Sequence, residues 1–134
     1  MKKLILTLIL TFALGGFMQT EAQTNKEFKL LAGKQRAVSG TNLTIKFVSL
    51  IEDSRCPEGV NCIWAGNARI KVQVKSPKSG GWQTFEMNTN AGPKGDTLDG
   101  YAINLVSLTP TPKANTKIDG DCYTATFSVS RLTR

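Results

Sequence analysis

Histidine is absent from the whole chain of 134 residues. This absence excludes Ser–His and Cys–His nucleophilic sites and any metal site that needs a histidine ligand. No glycine-rich phosphate loop follows a strand and opens a helix, and no stretch after residue 22 shows helical spacing with caps. We therefore expect no enzymatic activity, no cofactor and no essential metal.

The first 22 residues have the order of a bacterial export signal. A basic start is followed by the apolar run Leu4–Phe17, which is shorter than the roughly 20 residues that a membrane span needs. The segment Thr20–Ala22 then offers small residues at the positions that signal peptidase recognises. We predict a signal peptide over residues 1–22 and a single β domain over residues 23–134, exported to the periplasm or the medium, with an uncleaved anchor as the alternative for the first 22 residues. No transmembrane segment is expected after cleavage.

Alternation of apolar and polar residues predicts that the exported part is built from β-strands. The clearest period of two lies in Ala68–Lys75, where every second residue is apolar and the others are polar or charged. The apolar face changes sides near Phe47-Val48, which a β-bulge or a twist there, or burial on both faces, would explain. Further strands are predicted at Leu43–Ile51, Trp82–Met87, Tyr101–Leu108 and Tyr123–Val129, with a short one within Thr24–Val38.

These short strands, separated by turn residues, predict an all-β fold. We expect an antiparallel, immunoglobulin-like β-sandwich of about six or seven strands, with a small closed β-barrel as the alternative. Asn88–Gly100 is rich in Asn, Gly, Pro and Asp, so it is expected to be a long loop.

The net charge is +7 at pH 7, which favours acidic partners outside the cell. Arg69, Lys71 and Lys75 share the polar face of one predicted strand and form a candidate polyanion-binding strip. A solvated charged face is the simpler interpretation of the same pattern. The expected partner is an unknown protein or an acidic glycan. Nucleic acid is not expected, because no nucleic-acid-binding motif is visible. The oligomeric state is left open.

The stretch Glu52–Gly66 contains two of the three cysteines and one of the two tryptophans. Pro57 fixes its own φ and Gly59 permits a positive φ, so the segment between the cysteines can turn back on itself. Trp64 is placed where it could pack against a bridge between them. Either the loop Pro57–Asn61 is presented to a partner, or the stretch is a staple that holds a β corner. The loop comprises Pro57, Glu58, Gly59, Val60 and Asn61.

The same stretch resembles a pattern found in small exported bacterial proteins of unassigned function. The pattern is Asp-Ser-Arg-Cys-Pro, four residues, Cys, one residue, Trp, one residue, Gly, and it is matched from Asp53 to Gly66. A weaker resemblance extends to Leu43–Phe47 and to Tyr101–Leu108 with the prolines that follow. The resemblance implies a family and carries no activity with it.

Three cysteines allow three alternative pairings. A bridge from Cys56 or Cys62 to Cys122 would close the longer loop and contribute more, about 4 kcal/mol, in the chain-entropy model. The turn residues between Cys56 and Cys62 favour the short bridge, which contributes roughly 2 kcal/mol. The resemblance favours it too, because those two cysteines recur in the pattern without a third. We predict the Cys56–Cys62 disulfide and a free, partly exposed thiol at Cys122.

Three functions from different classes fit this sequence. The leading one is an exported, non-enzymatic binding or interaction module that is stapled by the disulfide loop. The second is a protease inhibitor that presents the Cys56–Cys62 loop as a preorganised bait. The third is a small hydrolase with paired carboxylates, although aspartate beside glycine is ordinary turn chemistry. The candidate pairs are Glu52-Asp53, Asp96 with Asp99, and Asp119 with Asp121.

Overall fold

The structure is a computed structural model that describes residues 25–133. It contains eight strands: β1 Lys26–Leu31, β2 Gln35–Ala37, β3 Thr44–Asp53, β4 Ala68–Ser76, β5 Gly81–Asn88, β6 Gly95–Leu98, β7 Tyr101–Thr109 and β8 Thr124–Arg131. The predicted signal peptide lies outside the described residues.

The strands form two antiparallel four-stranded sheets. The first has the order β1-β8-β7-β6 and the second the order β2-β3-β4-β5. The prediction of an antiparallel β-sandwich is confirmed, with separate sheets instead of one closed sheet and with eight strands instead of six or seven.

The predicted long loop Asn88–Gly100 is wrong in its second half, because β6 lies within it and pairs with β7. Its sequence of glycine and turn residues conceals the strand. Gly95 lies so close to Ile103 and Asn104 of β7 that a Cβ atom would collide with them. Backbone pairing to β7, and not an alternating side-chain pattern, therefore defines this strand.

The core lies between the two sheets and is formed by the inward residues of both. The alternation predicted for β4 is confirmed, since Ala68, Ile70, Val72 and Val74 are fully buried. The ring of Phe127 in β8 lies 5.9 Å from that of Phe28 and 6.5 Å from that of Phe47, measured between centroids. Complete burial of such a side chain contributes about 1.5–3 kcal/mol.

Of the explanations for the change of apolar face, a bulge is found in β3, where the pairing with β4 shifts between Phe47 and Ser49. A second shift follows between Leu50 and Glu52. These shifts bend the end of β3 before the chain enters the Glu52–Gly66 stretch.

Helical structure is limited, in the described part of the chain, to one 3-10 turn at Gly120–Cys122, capped by Asp119. Residues 25–133 thus contain no helix with the length and apolar character that crossing a bilayer requires.

Candidate functional site

Arg55 is the centre of a bonded cluster at the end of β3. Its Nε donates to Oδ1 of Asp53 at 2.9 Å, and its Nη2 donates to Oδ2 of the same carboxylate at 2.8 Å. The Asp53 side chain is only 7% exposed and that of Arg55 only 14%. Because the pair is bidentate and its side chains are largely covered by the surrounding chain, its geometry is tightly constrained.

The same guanidinium reaches across to the other sheet. Nη1 donates to the carbonyl oxygen of Leu108 at 2.6 Å, and Nη2 donates to that of Pro110 at 2.8 Å. Leu108 belongs to β7, whereas Asp53 ends β3 in the opposite sheet. Arg55 therefore ties the two sheets together at this end of the sandwich.

Tyr123, just before β8, completes the cluster by donating its hydroxyl hydrogen to Oδ2 of Asp53 at 2.9 Å. Burial acts to raise the pKa of the Asp53 carboxyl. The hydrogen bonds from Arg55 and Tyr123, together with the positive charge of Arg55, outweigh burial, so this pKa lies below its ordinary value. Burial and the hydrogen bond to Asp53 raise the pKa of the Tyr123 hydroxyl. The cluster is therefore ionised at Asp53 and neutral at Tyr123 near pH 7.

Beyond this Asp53–Arg55–Tyr123 cluster, the two legs of the loop continue the β3–β4 pairing. The N–H of Ser54 donates to the carbonyl of Asn67 at 2.7 Å, and the N–H of Cys56 donates to that of Ala65 at 3.2 Å. Gly66 has φ +67°, and a Cβ atom there would collide with the carbonyl oxygen of Ser54. The glycine of the motif is required by this close approach and by its left-handed backbone.

Asn67 fastens the loop to the neighbouring β5–β6 connection. Its Oδ1 accepts from the N–H groups of Asn90 and Ala91, both at 3.0 Å, and its Nδ2 donates to Oδ1 of Asn88 at 2.9 Å. The sequence interpretation missed this residue. Its position directly after the motif's glycine was the only available signal.

The Cys56–Cys62 disulfide is present, with a Cα–Cα distance of 5.9 Å, and Cys122 is free and exposed. Inside the ring the chain makes a tight turn, in which the N–H of Val60 donates to the carbonyl of Pro57 at 3.3 Å. The N–H of Glu58 donates to the carbonyl of Pro112 at 2.8 Å, so a neighbouring loop supports the ring.

The chain turns outward at the ring and leaves three apolar side chains in solvent. Ile63 is 89% exposed and Trp64 is 78% exposed, the two highest values among the exposed large hydrophobic residues of the described chain; Val60 is 44% exposed. We call Val60, Ile63 and Trp64 the apolar tip. The expectation that Trp64 packs against the bridge is wrong, because the outward course of residues 62–65 leaves most of its surface uncovered.

The predicted presented loop Pro57–Asn61 is exposed except at Pro57, which is half-buried. The most exposed apolar residues lie just after it, at Ile63 and Trp64. Two bulky apolar residues directly after a loop cysteine were the sequence signal for this position.

The candidate polyanion strip lies on the outer face of β4, the strand that follows the Glu52–Gly66 stretch. Arg69 sits between two carboxylates, with Nη2 3.6 Å from Glu52 and Nη1 3.3 Å from Glu86. Lys71 and Lys75 lie further along the same face. The strip is thus divided into a neutralised end at Arg69 and a basic end.

One member of each candidate carboxylate pair is engaged in a structural hydrogen bond. Asp53 is held in the Arg55 cluster, Asp99 accepts a hydrogen bond from Ser76, and Asp119 caps the 3-10 turn. Among residues 25–133, no group of three or more Cys, Asp or Glu side chains is arranged to hold a metal ion.

Comparison of the chain with protein-family models, with curated proteins and with solved structures finds no match.

Proposed function

We propose that this protein is a non-enzymatic, exported binding module whose apolar tip inserts into an apolar pocket of a partner protein. The observation that carries the proposal is the exposure of Ile63 and Trp64 at the end of a closed and bonded loop. Adjacent exposed residues of this size are costly to leave in water, at roughly 25 cal/mol per Å² of apolar surface. Tryptophan is also the residue type most enriched among the energetically dominant contacts of protein interfaces.

The support beneath the tip favours a specific partner. The Cys56–Cys62 bridge, the pairing of the loop legs and the contact of Glu58 with Pro112 hold the loop in one conformation. A preorganised loop loses little conformational entropy on docking, so more of the contact energy appears as affinity.

A protein partner fits the surroundings of the tip better than an anionic lipid surface does. The supporting residues carry both signs of charge, with Glu58 beside Lys113 across a β-bridge. A lipid-binding loop is expected to combine apolar residues with a uniformly basic rim.

The protease-inhibitor alternative has weaker support. Inhibitory loops bind as extended strands that add to the protease. Here the ring contains a tight turn from Pro57 to Val60, and the N–H of Glu58 is already bonded to Pro112. The exposed apolar residues also lie mostly outside the ring.

The hydrolase alternative needs two carboxylates that face each other across a cleft. Glu52 and Glu86 do approach a common point, but that point is the guanidinium of Arg69 on an open sheet face. The family suggested by the motif stays a prediction and assigns no activity.

The test compares three proteins: wild type, Ile63→Ser/Trp64→Ser, and Val106→Ser/Leu132→Ser. Val106 and Leu132 are also exposed apolar residues, but Val106 belongs to β7 and Leu132 directly follows β8 in the first sheet, so the last variant is a matched control. A protein that the wild type captures from the native exported fraction is purified, and its affinity for all three proteins is measured by titration calorimetry.

We expect the tip variant to bind at least about 30-fold more weakly, equivalent to a loss of about 2 kcal/mol. The control variant should bind like the wild type. Equal affinity of the tip variant and the wild type would refute the role of the apolar tip.

A further inference from the structure

A second surface of the molecule has a different chemistry. The outer face of β3, β4 and β5 presents Lys46, Lys71 and Lys75. The register places Lys46 beside Gln73 and Lys75 beside Trp82. Lys71 stands opposite Glu86. We call Lys46, Lys71, Lys75 and Trp82 the basic face.

The carboxylates near this face are engaged elsewhere. Glu52 and Glu86 are both ion-paired with Arg69. Within residues 25–133, none of the three lysines of the basic face has a carboxylate within ion-pair distance. The positive charge of these lysines is therefore not neutralised by ion pairs. The half-buried stems of Lys46 and Lys71 lie along the sheet, and their ammonium groups can reach solvent.

Trp82 gives the face an aromatic surface. The Nζ atom of Lys75 lies 6.0 Å from the centre of the Trp82 ring, which is within the range of a cation–π contact. The indole remains 38% exposed. Beside it, the Nε2 atom of Gln73 donates to Oγ1 of Thr84 at 3.4 Å, so neutral amide and hydroxyl groups adjoin the charges.

We propose that the basic face binds an acidic polysaccharide whose charges are carboxylates, a polyuronate. Ammonium groups attract the carboxylates, the indole ring covers apolar faces of the sugars, and Gln73 and Thr84 offer partners for hydroxyl groups. Single-stranded nucleic acid fits less well, because it is bound along basic grooves in which several aromatic side chains stack on successive bases. The basic face has one aromatic side chain, Trp82, on the open face of a sheet.

The probe is a polygalacturonate oligomer, titrated at low and at physiological salt against the purified protein. The variant Lys46→Gln/Lys71→Gln/Lys75→Gln is compared with Lys29→Gln/Lys94→Gln/Lys117→Gln, which removes the same charge from exposed lysines off the face. In a Trp64→Phe background, Trp82 is the sole remaining tryptophan and its fluorescence reports contact directly.

We expect the wild type to bind the oligomer, with a change in Trp82 fluorescence and an affinity that falls as salt rises. The affinity should fall about tenfold or more in the variant of the basic face and not in the control variant. The Lys75→Gln single variant provides the same comparison if the triple variant does not fold.

Three outcomes would overturn the proposal: no binding of polygalacturonate, an equal loss in both triple variants, or equally tight binding of single-stranded DNA. The Ile63→Ser/Trp64→Ser variant should bind the oligomer normally, because the apolar tip is a separate surface.

Discussion

The first and last parts of the Glu52–Gly66 stretch have opposite environments although fewer than ten residues separate them. Asp53 and Arg55 have largely covered side chains that are bonded to each other and connected to β7 and to Tyr123. Ile63 and Trp64 lie in solvent beyond the disulfide. Polar residues are thus inside and apolar residues outside, the reverse of the usual distribution.

This reversal shows how the stretch divides its roles. The buried ion pair is acceptable because its hydrogen-bonding groups find partners across the two sheets, and it fixes the position of the loop. The exposed apolar residues contribute little to folding, so we assign them to recognition.

Replacing Arg55 should have the largest effect. In Arg55→Met, the Asp53 carboxylate would lose its cation, and the carbonyl groups of Leu108 and Pro110 would lose their donor. We expect the free energy of unfolding in urea to fall by about 3–5 kcal/mol. Arg69→Met removes exposed ion pairs and should cost less than about 1 kcal/mol. Similar losses in the two variants would contradict the inward role of Arg55.

The contribution of Asp53 should depend on pH. Its pKa is lowered in the folded protein, so the stability it provides is complete above the ordinary aspartate pKa and is lost as the pH falls through the lowered value. Urea unfolding of wild type and Asp53→Asn should therefore differ most near neutral pH, by about 1.5–3 kcal/mol. The difference should shrink below about pH 4. A difference that stays constant down to about pH 2 would show that the charge is not involved.

Removing the disulfide should have an intermediate effect. Cys56→Ser/Cys62→Ser opens a short ring, which we expect to lower the free energy of unfolding by roughly 2 kcal/mol. Cys122→Ser should leave it unchanged, because that thiol is free and exposed. Peptide mapping without reductant checks the pairing, and a peptide that links Cys122 to either partner would contradict it.

Much of the fold could be predicted because its signals are local. The strict alternation in β4 and β8 reports which side chains face the core, and the shift near Phe47 reports the bulge. The short disulfide followed from turn residues and from the resemblance. Strand β6 was hidden because a short edge strand built from turn-forming residues needs its partner β7 to be recognised.

The site was harder to predict because its contacts are distant in sequence. Arg55 bonds to Leu108 and Pro110, and Asp53 bonds to Tyr123, and no periodicity reports such pairs. The outward direction of Trp64 was also missed. A tryptophan beside a disulfide is equally compatible with a packed staple and with a presented loop until the backbone course is known.

The most direct test of the division is the free energy of unfolding of Ile63→Ser/Trp64→Ser, measured in urea beside the wild type. If the apolar tip is outside the packed structure, the two values should agree within about 0.5 kcal/mol, as for ordinary surface substitutions. A loss of about 3 kcal/mol or more, as expected when a packed tryptophan is truncated, would contradict the account, because Trp64 would then belong to the fold and not to a binding surface.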